Sequence, residues 1–208
     1  TYKKGGSMAC IIKSISNCQE EILNNIKYLH CPDGFECDIT FGKGNFYKNT
    51  QKPKHCFDIE PLCDNVIKSD SRLLPLKKGS VTSVIFDPPF LTYIRKGREG
   101  NGSMALAKQY GGFWSYEELQ DYYRDTISEV YRIIKKKGIF VIKCQDIIHN
   151  HKMQSTHTNV INMADIEGFK LKDNFILLAN KRMPSPQKGK QRHARIFHSH
   201  FLVFVKGI

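Results

Sequence analysis

Four consecutive residues, Asp87-Pro88-Pro89-Phe90, could do chemistry on a flat ring that carries an amino group. Asp87 offers carboxylate oxygens that accept hydrogen bonds from N–H groups, and its place before a proline favours an extended backbone. Pro88 and Pro89 fix φ and carry no N–H, so the turn is stiff and its carbonyl groups can face a ligand. Phe90 supplies an aromatic face for stacking. Such a pocket would accept both amino protons and leave the nitrogen lone pair able to attack a methyl group.

Apolar runs around this turn predict the elements that must position it. Strands are predicted over 36–40, 55–59, 66–68, 81–86, 139–143, 175–178 and 201–205. Helices are predicted over 18–29, from the cap Ser115 to the stop at Gly138, and over 156–167. Lys135-Lys136-Lys137 suits the negative end of the long helix, and Gly138 suits its stop. Strands that alternate with helices indicate a parallel sheet covered on both faces.

Each of the first four strands ends at residues that could bind a ligand, and ligands collect at the carboxyl ends of such strands. These residues are Asp38, Gly42, Gly44, Asp58, Asp70 and Asp87. Glycines let the backbone approach a ligand closely, and an acid after the second strand can bind ribose hydroxyls. The stretch 42–47 lacks the third glycine of a dinucleotide fingerprint, which indicates an adenosine-like cofactor of another kind. The alternative for Asp58 and Asp70 is a turn aspartate that caps the next element.

Length and charge bound the class of protein. The chain has 208 residues, 40% of them hydrophobic, which predicts one domain over 9–208. Its polar start, residues 1–8, is expected to be an expression remnant or disordered. The net charge of +12, from 32 Lys+Arg against 20 Asp+Glu, favours a nucleic-acid partner. No apolar run approaches the roughly 20 residues of a membrane span.

Two basic segments are candidates for contact with nucleic acid. Segment 92–112 follows the Asp-Pro-Pro-Phe turn and is interpreted as a lid that also touches the substrate. Segment 181–198 contains no acid and connects the last two strands, where its cations could meet phosphates. The alternative for both is a solvated loop. The residues predicted to bind nucleic acid are Arg95, Lys96, Arg98, Lys188, Lys190, Arg192 and Arg195.

Cysteines and histidines give no metal motif. The chain has seven cysteines and no C-x-x-C pair, which favours a reducing cytoplasm over a disulfide framework. The two H-x-H pairs, at 149–151 and 198–200, lack further ligands at zinc spacing and are interpreted as loop or strand histidines. No metal is therefore predicted.

Taken together, these residues resemble S-adenosylmethionine-dependent methyltransferases that act on exocyclic amines, the DNA adenine-N6 and cytosine-N4 enzymes and some RNA relatives. The resemblance extends from about residue 30 to the end. It is strongest to small phage- or prophage-type DNA methyltransferases without a separate recognition domain. These carry a segment like Lys143-Cys144-Gln145-Asp146 and a basic segment like His193-Ala194-Arg195 before the last strand. The glycine loop precedes the Asp-Pro-Pro-Phe turn, unlike in the circularly permuted members.

The resemblance implies an α/β, Rossmann-like class I methyltransferase fold: a mostly parallel seven-stranded sheet with helices on both faces and an antiparallel last strand. It implies S-adenosyl-L-methionine as the cofactor. It implies that the catalytic residues are Asp87, Pro88, Pro89 and Phe90. The implied cofactor-binding residues are Asp38, Thr40, Phe41, Gly42, Gly44, Asp58, Ile59, Asp70, Ser71 and Asp87, with Glu60 as a neighbouring alternative to Asp58.

The expected activity is methylation of a base in DNA, and Asp at position 87 favours adenine N6 by resemblance. An RNA adenine-N6 or guanine-N2 methyltransferase is the first alternative, because the same pocket serves both. A catalytically inactive nucleic-acid-binding module is the alternative from another class. The partner is predicted to be DNA rather than RNA, with no membrane partner. The oligomeric state stays open, and a monomer is compatible with the sequence.

Overall fold

The computed structural model describes residues 11–90, 92, 112–180 and 190–207. Within these residues the chain forms ten strands and three α-helices. The strands are β1 Ile15–Ser16, β2 Cys37–Asp38, β3 His55–Asp58, β4 Ile67–Lys68, β5 Val81–Phe86, β6 Ile134–Cys144, β7 Ile147–His149, β8 Lys152–Gln154, β9 Phe169–Leu178 and β10 His198–Lys206. The helices are α1 Gln19–His30, α2 Tyr116–Ile133 and α3 Thr156–Glu167.

Eight of the strands form one sheet in the order β1-β9-β10-β6-β5-β2-β3-β4, and β7 and β8 form a separate hairpin. Strand β10 runs antiparallel to both β6 and β9, whereas the other pairs are parallel. The predicted α/β class and the antiparallel last strand are confirmed. The sheet has eight strands instead of seven because β1 extends its edge beside β9. A two-residue strand is too short to leave a periodic pattern in the sequence.

Helices cover both faces of the sheet, because alternate residues of its central strands point to opposite sides. In β5, Val84 and Phe86 join the core that α2 and α3 close. Ile85, between them, joins the second core, which α1 closes. No helix in the described ranges is both long and apolar enough to cross a membrane.

Helix α2 begins as predicted but ends earlier. The Ser115 side chain accepts a hydrogen bond from the backbone N–H of Glu118, which confirms the predicted cap. The helix ends at Ile133, because Ile134 already pairs with Val81 of β5. The next pairing joins Ser83 to Ile139, so the lysines at 135–137 bulge out of the ladder instead of closing the helix. The prediction that they form the helix end was therefore wrong.

The remaining differences concern the lengths of strands. β2, β3 and β4 are shorter than predicted, while β6, β9 and β10 are longer. The shared direction of β2, β3, β4, β5 and β6 has the greater consequence, since it places their carboxyl ends along one edge of the sheet.

Candidate active site

Asp38, at the end of β2, is a buried carboxylate held by two donors. Its Oδ2 accepts from the Tyr47 hydroxyl at 2.6 Å, and its Oδ1 accepts from the Thr40 backbone N–H at 2.8 Å. Burial raises the pKa of Asp38 to about 7, and the two hydrogen bonds oppose part of that rise. The negative charges of Asp87 and Asp58 raise the pKa further. Three carboxylates from three different strand ends therefore lie near one another at one edge of the sheet, which is called the acidic cleft below.

The glycine loop after β2 binds the end of β3. Gly42 has φ +55°, and its N–H donates to Asp58 Oδ2 at 2.7 Å. The backbone N–H of Glu60 donates to the other oxygen of Asp58 at 2.9 Å. Gly44 has φ +69°, and a Cβ at this position would lie 2.7 Å from the Phe41 ring. Both glycines are therefore required by the backbone, and Gly44 also by the packing of Phe41.

Asp87, at the end of β5, is tied to Thr40 and to β6. Its backbone N–H donates to Thr40 Oγ1 at 2.8 Å. Its Oδ2 lies 3.2 Å from the Nζ of Lys143, and the two form an ion pair. Burial raises the pKa of Asp87, while the charge and hydrogen bond of Lys143 lower it. Lys143 thus favours the ionised, acceptor-only form of this carboxylate.

Lys143 is held by contacts that sequence reasoning missed. Its Nζ donates to Gln19 Oε1 at 3.1 Å and lies 5.0 Å from the ring centre of Phe46 and 5.6 Å from that of Phe201. Its side chain is only 14% exposed. Two aromatic faces and an amide oxygen therefore fix the ammonium group beside Asp87. The available signal was a lysine inside the buried run 139–144.

The predicted residues at the end of β4 have partners of their own. Asp70 forms an ion pair with Arg72 at 2.7 Å, and hydrogen bonds from Arg72 lower the pKa of Asp70. Ser71 is buried, and its hydroxyl lies 2.7 Å from the Tyr122 hydroxyl. Ile59, after β3, is 62% exposed. Asp70 thus keeps a carboxylate at the sheet edge, whereas Ser71 packs β4 against α2.

Tyr122 lies beside this end of the cleft. Burial raises its pKa, and the negative charges of Asp70 and Asp58 raise it further, so both carboxylates lie near its hydroxyl. The structure therefore brings the strand-end acids predicted from the sequence to one edge. Pro88 is buried there, and Pro89 and Phe90 are half-buried.

The described part of the basic segment connects to the same edge. The ring Nε2 of His193 donates to the carbonyl oxygen of His151 at 2.9 Å. His149, on the same hairpin, has Nδ1 at 3.2 Å from Thr92 Oγ1, two residues past the Asp-Pro-Pro-Phe turn. Lys190, Arg192 and Arg195 are exposed. The predicted contacts Arg95, Lys96, Arg98 and Lys188 lie outside the described residues.

A cavity of about 230 Å³ lies at the opposite edge of the sheet, lined by residues that include Cys31, Gly34, Ser83 and Lys137. It adjoins the start of β5, while Asp87 follows the end of that strand. This cavity therefore does not contribute to the acidic cleft.

The fold and the acidic strand ends define a Rossmann-like, class I methyltransferase type of domain. Residues 81–207, more than half of the chain, match the N6/N4 methyltransferase family described as DNA methylase, and the chain belongs to this family. S-adenosylmethionine is the methyl donor of such enzymes, so the predicted class and cofactor are confirmed at the level of the family.

Solved structures share this fold. The chain is similar to an S-adenosylmethionine-dependent methyltransferase from Archaeoglobus fulgidus, with 14% identity, a TM-score of 0.50 and coverage of 91% of this chain and 95% of that one. It is similar to the N-methyltransferase NodS from Bradyrhizobium japonicum WM9, with 10% identity, a TM-score of 0.50 and coverage of 90% and 96%. It is also similar to the cytosine-N4-specific PvuII DNA methyltransferase, with 21% identity, a TM-score of 0.48 and coverage of 66% and 47%.

The chain spans about half the length of the DNA methylase structures that it resembles. No curated protein matches it significantly.

Gly44→Ala should destabilise the protein more than Gly79→Ala does. Both glycines have φ near +60°, so each alanine carries a strain of about 1–2 kcal/mol. A Cβ at position 79 meets no atom within 4 Å, whereas one at position 44 meets the buried Phe41 ring. The added clash should cost about 1–3 kcal/mol more, measured as a lower urea midpoint. Equal midpoints in the two variants would contradict this packing argument.

Proposed function

We propose that this chain transfers a methyl group from S-adenosylmethionine to the exocyclic amino group of a base in DNA, and that the base is adenine, methylated at N6. The observation that carries the proposal is the position of Asp87, bonded to Thr40 and paired with Lys143 at the edge that also holds Asp38 and Asp58. An acceptor for amino protons thereby lies beside a site suited to a cationic methyl donor. The cofactor, when bound, supplies a methyl group already activated on a sulfonium.

The charges of the cleft fit that cofactor. S-adenosylmethionine carries a sulfonium and an ammonium cation, and Asp38, Asp58 and Asp87 place three carboxylates together in a chain of net charge +12. A cation in the cleft would relieve their mutual repulsion. Residues 38, 40–42 and 44 would hold the methionine part, and Asp58 with Ile59 would hold the ribose.

The end of β4 would hold the adenine ring of the cofactor. A carboxylate has about four lone-pair sites, so Asp70 can accept from an amino group while it keeps Arg72. Ser71 would act indirectly, because its hydroxyl is already bonded to that of Tyr122. We therefore assign Ser71 a positioning role in this part of the site.

The target base would be held by the turn that follows β5. Asp87 and the Pro88 carbonyl would accept the two amino protons, and Phe90 would stack on the ring. These acceptors localise the nitrogen lone pair, so that a bond from nitrogen to carbon can form as the bond from sulfur to carbon breaks. The amine then loses one proton, and the Asp87 carboxylate is the nearest acceptor. Positioning and electrostatics supply the catalysis.

DNA would approach along the basic segment 190–197. Contacts from His193 through the β7–β8 hairpin to Thr92 support a continuous surface that leads to the Asp-Pro-Pro-Phe turn. A base inside a duplex cannot reach such a turn, so the target nucleotide would have to be flipped or unpaired.

Mass spectrometry of nucleosides tests the proposal after DNA and RNA are incubated with the protein and S-adenosylmethionine. N6-methyladenine in the DNA is expected. N4-methylcytosine would overturn the choice of base, methylation of RNA alone would overturn the choice of polymer, and no methylated nucleoside would overturn the activity.

Asp87→Ala should abolish methyl transfer while cofactor binding persists, because the remaining acids still form the cofactor site. The control is Asp33→Ala, an exposed aspartate that lines the cavity at the other edge, which should transfer at the rate of the unchanged protein. Initial rates with tritiated cofactor measure transfer, and calorimetry measures binding. Retained turnover in Asp87→Ala would exclude the mechanism.

Cofactor binding should tighten as the pH rises from 6 to 8. Burial is the main reason that the pKa of Asp38 is raised to about 7. Below that pH the carboxyl is largely protonated, and it must lose its proton before it can attract a cation. Calorimetry at three pH values should show protons released on binding near neutral pH. Asp38→Asn should remove this pH dependence, and an unchanged dependence in that variant would assign it to another group.

Charge reversal at Arg192 and Arg195 together should weaken DNA binding equally for different sequences. Each lost phosphate contact should make the slope of log K against log salt shallower by about 0.9. The matched control is Lys77→Glu with Lys78→Glu, two exposed lysines shortly before β5, at the edge of the sheet away from the acidic cleft. Fluorescence anisotropy over a salt series measures both quantities. An equal slope change in the two double variants would show that segment 190–197 does not contact the DNA.

A further inference from the structure

Three potential metal ligands meet where β6, α3 and β10 come together. Asp146 follows β6, His157 lies in the first turn of α3, and His200 lies in β10. One ligand atom from each side chain lies within 4.8 Å of those of the other two. Asp146 and His200 are buried. This set is called the Asp146–His157–His200 cluster below, and the proposed methyl transfer uses none of its members.

His200 has a buried nitrogen that no hydrogen bond in the described structure explains. The residue is only 6% exposed, and its Nε2 has no hydrogen-bond partner among the described residues. Its Nδ1 lies 3.2 Å from the side-chain oxygen of Asn174, which can only accept, so Nδ1 carries the proton. Nε2 therefore keeps a lone pair. A buried polar atom without a partner destabilises the folded state, and a ligand at this atom would remove that cost.

The bond from Nδ1 of His200 is of the kind that metal-binding histidines make. One ring nitrogen donates to a fixed acceptor, which sets the tautomer and aims the other nitrogen at the ion. Asn174 is the fixed acceptor for His200. Burial lowers the pKa of His200 to about 4, with a further contribution from His157, so its imidazole is neutral at physiological pH.

A purely structural role accounts for Asp146 but not for His200. Asp146 Oδ1 accepts from the His157 backbone N–H at 3.1 Å, near the start of α3, and the His157 ring lies 2.8 Å from the same carboxylate. These bonds satisfy a helix end. They leave the Nε2 of His200 unpaired, so the cluster as a whole is better explained by a ligand.

We propose that the Asp146–His157–His200 cluster binds one divalent transition-metal ion of the zinc class. Two imidazoles and one carboxylate suit Zn²⁺ and its neighbours, whereas Mg²⁺ and Ca²⁺ prefer oxygen ligands alone. Three protein ligands leave one position for water or a phosphate oxygen. The ion would join the start of β10 to β6 and α3, and thereby anchor the basic segment 190–197 beside the acidic cleft.

Binding requires one side chain to turn. The His157 and His200 rings are stacked 4.3 Å apart at 11°, so their in-plane lone pairs run parallel instead of meeting. Bond lengths of about 2.0–2.1 Å place the ligands of a tetrahedral Zn²⁺ roughly 3.3 Å apart. His157 is the member that can move, since its side chain is 29% exposed, against 5% for that of Asp146. Rotation of its ring would exchange the bond to Asp146 for a shared ion.

Metal titration of the purified chain tests the proposal after treatment with a chelator. Co²⁺ should bind with one-to-one stoichiometry and give visible absorption typical of nitrogen and oxygen ligands, and Zn²⁺ should displace it while Mg²⁺ should not. Absorption by cobalt–thiolate bonds would instead assign binding to cysteines and overturn the proposal, as would the absence of stoichiometric binding.

Variants locate the ion. His157→Ala should bind Co²⁺ at least tenfold more weakly, and this half-exposed position makes misfolding a small risk. Asn174→Ala should lower the affinity for Co²⁺ roughly 10–100-fold, as expected when the hydrogen-bond partner of a metal ligand is removed. The control is His55→Ala, an exposed histidine at the start of β3, which should bind as the unchanged chain does. Equal affinity in His157→Ala and His55→Ala would overturn the proposal. Because binding is the readout, the result is independent of methyl transfer.

Discussion

Burial of acidic side chains at one edge of the sheet is the constraint that organises the cleft. Asp38, Asp58 and Asp87 come from different strands, and the charges of Asp87 and Asp58 add to the effect of burial in raising the pKa of Asp38. Each is stabilised in a different way: the first by a tyrosine hydroxyl, the second by backbone N–H groups and the third by a lysine. The conformation of the glycine loop, the position of Tyr47 and the burial of Lys143 all serve this arrangement. An acidic cleft can therefore persist in a chain whose net charge is +12.

The positions of these acids could be predicted because they depend on local rules. Parallel strands end at the same edge, so apolar runs followed by aspartate predict a shared cleft without any tertiary information. The Asp-Pro-Pro-Phe turn is likewise local, since proline fixes its own backbone. The partners of the acids were harder to predict. Lys143 and Asp87 are 56 residues apart, and only the register between β5 and β6 brings them together.

Two further differences from the sequence prediction have identifiable physical causes. The lysines at 135–137 suit a helix end. The helix nevertheless ends one turn earlier, because Ile134 pairs with Val81 of β5. Strand pairing here overrides the local helix preference. Asp70 and Arg72 are only two residues apart, so this ion pair did have a local signal. The signal was missed because the acid was considered only as a ligand at the end of a strand.

The antiparallel last strand brings together parts that lie far apart in the sequence. Because β10 runs opposite to β6, it begins at the edge where the parallel strands end, and His200 pairs there with Cys144. The basic segment that precedes β10 therefore lies at the acidic edge. Gln145 strengthens this junction with a side-chain bond to the His198 carbonyl at 2.8 Å. Opposite charges thus lie side by side within this fold.

Thr40 joins the two halves of the cleft through a single residue. Its backbone N–H donates to Asp38 at the end of β2, and its hydroxyl accepts from the backbone N–H of Asp87 in the Asp-Pro-Pro-Phe turn. A ligand that displaces Thr40 from one half would therefore act on the other half as well. Thermodynamic reciprocity requires any such change in affinity to be the same in both directions. Coupling between the two halves would thus pass through one threonine.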